Sequence, residues 1–340
     1  ARKGTTLPAE NLKPEITRSI EAGADLAFIK NRAGLDFTWY KTNTYNQLVR
    51  VPVPDPSGFA FQFINAGNIQ NTGIELALRV TPIRGEFTWD IAFNYATNKS
   101  LVVELTDELD EYTIRGTSWM TTIKVVEGSQ YGDVYTKGLS RNEEGRVLIN
   151  EDGLPLVSDG QTMHMGNYNP DWFGGVTNTF RYKGFDLNIL FDIRMGGDIF
   201  SHTEAVLAWD GISDYTLEGR DGMVVDGVLE SDGGENTIEI TAQDYWQHLG
   251  GRNGNTGELF RYDASFIRFR ELVLGYTLNI NKPSIRSLRV ALVGRNLGFL
   301  YNAAEVIDPN TSVGVSNYQG VEGFGLPTTR SMGVNLKLTF

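Results

Sequence analysis

Residues 185–195 read FDLNILFDIRM, and every second letter is large and apolar: Phe185, Leu187, Ile189, Phe191, Ile193 and Met195. The intervening letters are Asp186, Asn188, Leu190, Asp192 and Arg194. A strict period of two places these sets on opposite faces of a β-strand. One face wants an apolar surrounding, and the other carries charges that need water or partners.

The pattern recurs along the chain. Leu35, Phe37 and Trp39 alternate with Asp36, Thr38 and Tyr40. Ile74, Leu76, Leu78 and Val80 alternate with Glu75, Ala77 and Arg79. Trp89, Ile91, Phe93 and Tyr95 alternate with Asp90, Ala92 and Asn94, and Val176, Phe180 and Tyr182 oppose Thr177, Thr179 and Arg181. Leu288, Val290 and Leu292 oppose Arg289 and Arg295, and the chain ends with Met332, Val334, Leu336, Leu338 and Phe340 against Asn335, Lys337 and Thr339. In 265–278 the apolar parity changes between Phe269 and Leu272, which predicts a β-bulge near Glu271.

Nine long strands are expected, near 16–30, 33–43, 67–81, 86–98, 171–182, 184–196, 263–279, 285–297 and 330–340. Many reach the roughly 9–11 residues that cross a bilayer at a tilt, where soluble strands average about 5–6. Short turns follow some strands. Polar, Gly- and Asp-rich stretches at 44–66, 98–170, 197–260 and 297–329 follow the others. That asymmetry is the arrangement of an outer-membrane barrel, and it argues against a soluble sandwich or propeller. No apolar run is long enough for a spanning helix. The expected fold is therefore all-β: a transmembrane antiparallel β-barrel. Lipid is expected against Leu187, Ile189, Phe191, Leu336 and Leu338. A water-filled lumen is expected against Asp36, Glu75, Arg79, Asp90, Arg181, Asp186, Asp192, Arg194, Arg289, Arg295 and Lys337. With short turns on the periplasmic side, an odd strand number leaves the first strand starting outside. By that parity residues 1–340 are expected to be the C-terminal part of a larger barrel. A hairpin in 98–170, at TTIKVVEGSQYGDVYT, would leave the parity unchanged.

Several stretches carry a family resemblance: NLKPEITRSIEAG, NAGNIQNTGIELAL, GNYNPDWFGGVTNTFRYKGFDLNILFDIRMGGDIF, RYDASFIRFRELVLGYTLNI and LPTTRSMGVNLKLTF. In order along the chain, they resemble segments of SusC/RagA-type TonB-dependent outer-membrane transporters. The resemblance implies a 22-stranded barrel filled by a plug domain, energised through TonB and capped by a SusD-like surface lipoprotein. The implied cargo is an oligosaccharide or a peptide. No part of the chain resembles the plug or the N-terminal strands. The resemblance also makes Phe340 the C-terminal signal read by the barrel-assembly machinery, although it serves equally as an interfacial aromatic. The alternative is a passive porin or a structural barrel.

Enzyme chemistry is not visible. His164, His202 and His248 are far apart, and no nucleophile elbow, phosphate loop or dinucleotide fingerprint appears. The acidic pairs Asp107/Glu108, Asp110/Glu111, Glu143/Glu144 and Glu151/Asp152 read as solvated loop, ahead of a glycosidase pair or a calcium site. No metal or cofactor is expected. A net charge of −12 without a basic stripe argues against nucleic acid as a partner. Residues 239–249, EITAQDYWQHL, predict a short helix capped by Thr241, with Tyr245 and Trp246 packing the loop in preference to contacting a lipoprotein or a sugar.

Overall fold

The computed structural model describes residues 6–7, 12–53, 58–106, 109–114, 120–251, 256–282, 284–314 and 319–340. Asp107 and Glu108 lie outside the described residues. Nine long strands form one sheet: β1 (Ile16–Phe28), β2 (Ala33–Pro52), β3 (Phe61–Ile83), β4 (Phe87–Glu104), β5 (Trp172–Tyr182), β6 (Phe185–Met195), β7 (Phe266–Lys282), β8 (Ile285–Asn302) and β9 (Ser331–Thr339). They lie side by side in chain order, each antiparallel to the next. The short strand Thr6–Leu7 joins β3 off this path. Among the described residues, β1 pairs only with β2, and β9 only with β8.

The register aligns the apolar sets. Leu35 faces Leu26 and Leu78, Phe93 faces Leu78 and Val176, and Phe180 faces Trp89 and Leu187. The row continues through Leu187 to Leu274, Leu292 and Val334. One face of the sheet is thus apolar from the first strand to the last. Aromatic pairs cluster along its turn end: Trp89 with Phe180 at 5.7 Å and Phe185 with Tyr276 at 4.6 Å.

The bulge falls one residue before the expected Glu271. Against β6, Leu190 pairs with Glu271 and Phe191 with Phe269, so Arg270 is the extra residue. It keeps Ile267 and Phe269 on the face shared by Leu272 and Leu274.

Two expectations need correction. Residues 44–66 are not a long loop, because β2 runs on to Pro52 and β3 starts at Phe61. In this outer part the alternation loses its apolar–polar contrast, so the sequence signal fades while the ladder continues. Asn46 and Gly67 take positive φ angles of 56° and 57°, and a Cβ on Gly67 would lie 1.8 Å from the Glu104 carbonyl oxygen. The stretches 98–170, 197–260 and 297–329 are not structureless either. The hairpin at 121–136 does form, as Thr121–Val126 with Asp133–Thr136, but in a separate four-stranded sheet with Glu111–Ile114 and Met163–Asn167.

These long connections fold together into a cap beyond one end of the wall. Its core brings Met120, Ile123 and Val134 together with Tyr168, Phe200, Ala205, Ala208 and Phe260. Helices α1 (His202–Trp209) and α2 (Ala242–Leu249) pack over it. Thr241 and Asp244 form a reciprocal capping box at the start of α2, which holds the Asp244 carboxyl below its ordinary value. Trp246 packs against Tyr215, Tyr245 and Phe260, so the packing expectation for the loop aromatics holds. Ties between loops are polar as well. Arg141 binds Glu258, Arg146 binds Glu235, and Ser201 and Thr203 donate to Glu322 at 2.5 and 2.7 Å.

Candidate functional site

The face of the wall opposite the apolar rows carries paired charges. Arg181 Nη1 donates to Asp90 Oδ2 at 2.6 Å, and Thr81 Oγ1 donates to Asp90 Oδ1 at 2.7 Å. Arg289 Nε donates to Asp186 Oδ1 at 2.9 Å, although β7 lies between them. Gly275 of β7 makes that reach possible. A Cβ there would meet the Asp186 carboxylate and the Arg289 guanidinium at 2.5–2.7 Å. The same device recurs at Gly73, where the Tyr40 ring lies over the glycine and donates from its hydroxyl to Asn98 Oδ1 at 3.1 Å. A strand-interior glycine here marks a side chain crossing from one neighbouring strand to the other.

The bulge sets a second group. Arg270 donates to Asp192, by Nε at 3.1 Å, and to Asn296 Oδ1 at 2.8 Å. Arg295 Nε donates to Glu271 Oε2 at 2.7 Å from the directly opposite position. An extra residue in β7 therefore gives both Arg270 and Glu271 partners on the charged face. Towards the cap, Arg194 donates to the Tyr168 carbonyl at 2.8 Å.

At the seam between wall and cap, Arg268 is 2% exposed. It pairs with Asp308, donates to Thr328 Oγ1 at 2.6 Å and lies 4.1 Å from the centre of the Phe299 ring. Burial would raise the Asp308 carboxyl. Hydrogen bonds from Thr328 and the Asn310 N–H, with the charge of Arg268, outweigh it and hold the group below the usual carboxylate range. In the cap, burial lowers His202 to about 4 and raises Tyr215 to about 12.

Of the charges singled out in the sequence, Asp90, Arg181, Asp186, Asp192, Arg194, Arg289 and Arg295 have these partners. Asp36 faces Asp25 and Ala77, Glu75 faces Thr38 and Ala96, Arg79 faces Gly34 and Ala92, and Lys337 faces Arg289. The pattern names Glu271 only as the place of the bulge and does not single out Arg268, Arg270 or Asp308. Arg270 and Glu271 were within reach, since the parity change at that point already implies an extra residue on the polar side.

Residues 2–297 match the family described as TonB dependent receptor-like, beta-barrel. The chain belongs to this family. Its members are outer-membrane transporters and not enzymes. Two curated relatives are TonB-dependent receptor P3 of Formosa agariphila, 26% identical over 98% of this chain, and SusC of Bacteroides thetaiotaomicron, 25% identical over 79% of it. Among solved structures, the RagAB peptide importer in its closed-closed state superposes on 96% of the chain with a TM-score of 0.67 at 19% identity, which supports the barrel fold. The chain spans 35% of the length of receptor P3, 26% of SusC and 35% of the matched RagAB chain.

Proposed function

We propose that this chain is part of the wall and outer cap of an outer-membrane transporter that imports oligosaccharides or peptides with energy delivered through TonB. The observation that carries the reading is the two-faced sheet: one continuous apolar face, and one face of ion pairs that join neighbouring strands or, for Asp186 and Arg289, reach across one. Lipid covers Leu187, Ile189, Phe191, Leu336 and Leu338. Water fills the side of Asp36, Glu75, Arg79, Asp90, Arg181, Asp186, Asp192, Arg194, Arg289, Arg295 and Lys337. At about 3.3 Å per residue, strands of 18–23 residues outrun a hydrocarbon layer about 30 Å thick, so their outer parts stand in water beneath the cap.

Further strands close the barrel between β1 and β9, and a plug domain fills it. Two long open strand edges would otherwise template aggregation. A SusD-like surface lipoprotein sits over the cap, and the barrel-assembly machinery reads the terminal strand ending at Phe340. Support comes from the family match and from the relatives named above.

The test is uptake of labelled oligosaccharides and peptides by cells expressing the full-length protein, with the proton-motive force intact or collapsed. Uptake that stops on collapse is expected. Uptake that continues unchanged would assign the chain to a passive porin.

A further inference from the structure

In the cap, the end of α1, the turn after it and the start of α2 enclose a cleft of about 520 Å³, within the range that takes small ligands. We infer that this cleft is a surface site for a neutral sugar ring of an oligosaccharide, with the Trp209 indole as its platform. The site lies outside the wall, so the inference does not depend on what the barrel carries.

Trp209 is 44% exposed, unusual for an indole beside a ready-made core. Its placement depends on Gly251, which has a φ of 91° and where a Cβ would lie 2.6 Å from the indole. The ring thus rests on glycine backbone and lines the cleft. Trp246, at the back, is already occupied by Tyr215 at 4.9 Å and by Phe260 at 6.4 Å.

The polar groups of the rim complete the chemistry. Arg220 is exposed, and its guanidinium is oriented by the carbonyls of Thr216 at 3.2 Å and Gly211 at 2.8 Å. Among the described residues no carboxylate lies within ion-pair distance of it. Gln243 and Gln247 are one helical turn apart on α2, so both amides face the same side, and Asp210 is the carboxylate of the lining.

Arginine only donates, a carboxylate only accepts, and the amides do both. A pyranose needs that mixture, because each hydroxyl donates and accepts while one ring face presents only C–H groups to an aromatic surface. Arg220 and Asp210 balance in charge, which favours an uncharged ring. An extended peptide would want a free strand edge, and the residues lining the cleft belong to helices and turns.

The test is titration of the full-length protein, in a detergent without a sugar headgroup, against maltotetraose, cellotetraose and xylotetraose. Tetragalacturonate and a neutral tetrapeptide serve as controls. Binding of at least one neutral tetrasaccharide is expected, weakened about tenfold by Trp209→Ala. Gln247→Ala, at an exposed position, should weaken it less and leave thermal unfolding unchanged, and Arg220→Met, which also gives up its bonds to the Thr216 and Gly211 carbonyls, should likewise weaken it less than Trp209→Ala. The inference is overturned if no neutral tetrasaccharide binds at millimolar concentration. It is also overturned if only a control ligand binds, or if binding survives both Trp209→Ala and Arg220→Met.

Discussion

In the wall, Leu274, Leu292, Val334 and Leu336 stand exposed along one face, while in the cap Ile123, Val134, Phe200 and Phe260 are almost wholly buried. The two regions use the same residue types in opposite ways. The cap removes its apolar groups from water by its own folding, as a soluble domain does. The wall does not, and its apolar face is finished by whatever lies outside the protein. The cap's stability should therefore answer to mutation and pH like that of a small soluble fold, and the wall's should answer to the bilayer.

The largest expected effect is at the seam. Arg268→Ala leaves Asp308 buried without its cation and should cost the local fold about 3–5 kcal/mol. Limited proteolysis should then cut within 303–330 while the wall stays resistant. Equal loss of protection in wall and cap would show that the seam is not a local tie. Next comes the wall. Leu187→Arg should lower assembly, by roughly 2–4 kcal/mol if the residue lies near the bilayer midplane, read as loss of the folded band on an unheated gel. Asp192→Asn should assemble normally. The reverse result would invert the faces.

The smallest expected effect separates the regions by acid. Burial keeps His202 neutral down to about pH 4, whereas in the unfolded chain it titrates near 6.5. Its contribution is complete above pH 6.5 and is lost as pH falls towards 4, by on the order of 3 kcal/mol. Asp308, lowered in the fold, loses its own contribution in the same direction at still lower pH. Indole fluorescence of Trp209 and Trp246 in the cap should therefore change before the circular dichroism of the sheet, and His202→Leu should remove the part above pH 4. Simultaneous change in both signals would erase the distinction between the regions.

The wall was legible in the sequence because its rule is local. Alternation within Phe185–Met195 is visible in eleven consecutive letters, and the parity change before Leu272 locates a bulge without any partner strand in view. The cap was not legible, because its core is assembled from short pieces. Ile123, Phe200 and Phe260 meet across long stretches of chain, and no period links them. Charges followed the same division. Asp186 and Arg289 sit on strands whose faces can be read, so their side was predictable even though their pairing across Gly275 was not. Asp308 lies in a connection with no face to read, so its tie to Arg268 had no precursor in the pattern. The α2 cap was legible for the reason the wall was, since Thr241 and Asp244 are three residues apart.

Arg270 also changes what an insertion or deletion means in this protein. In a regular strand, losing one letter from a connecting loop is absorbed where it happens. Losing one at 270 would force a choice along the rest of β7. Ile267 and Phe269 would turn to the charged face and Arg268 to the apolar one, or the ladder with β6 would slip by a step and misalign Asp192. The spare residue works as a phase marker, and strand length in this segment is fixed as firmly as any side chain in it.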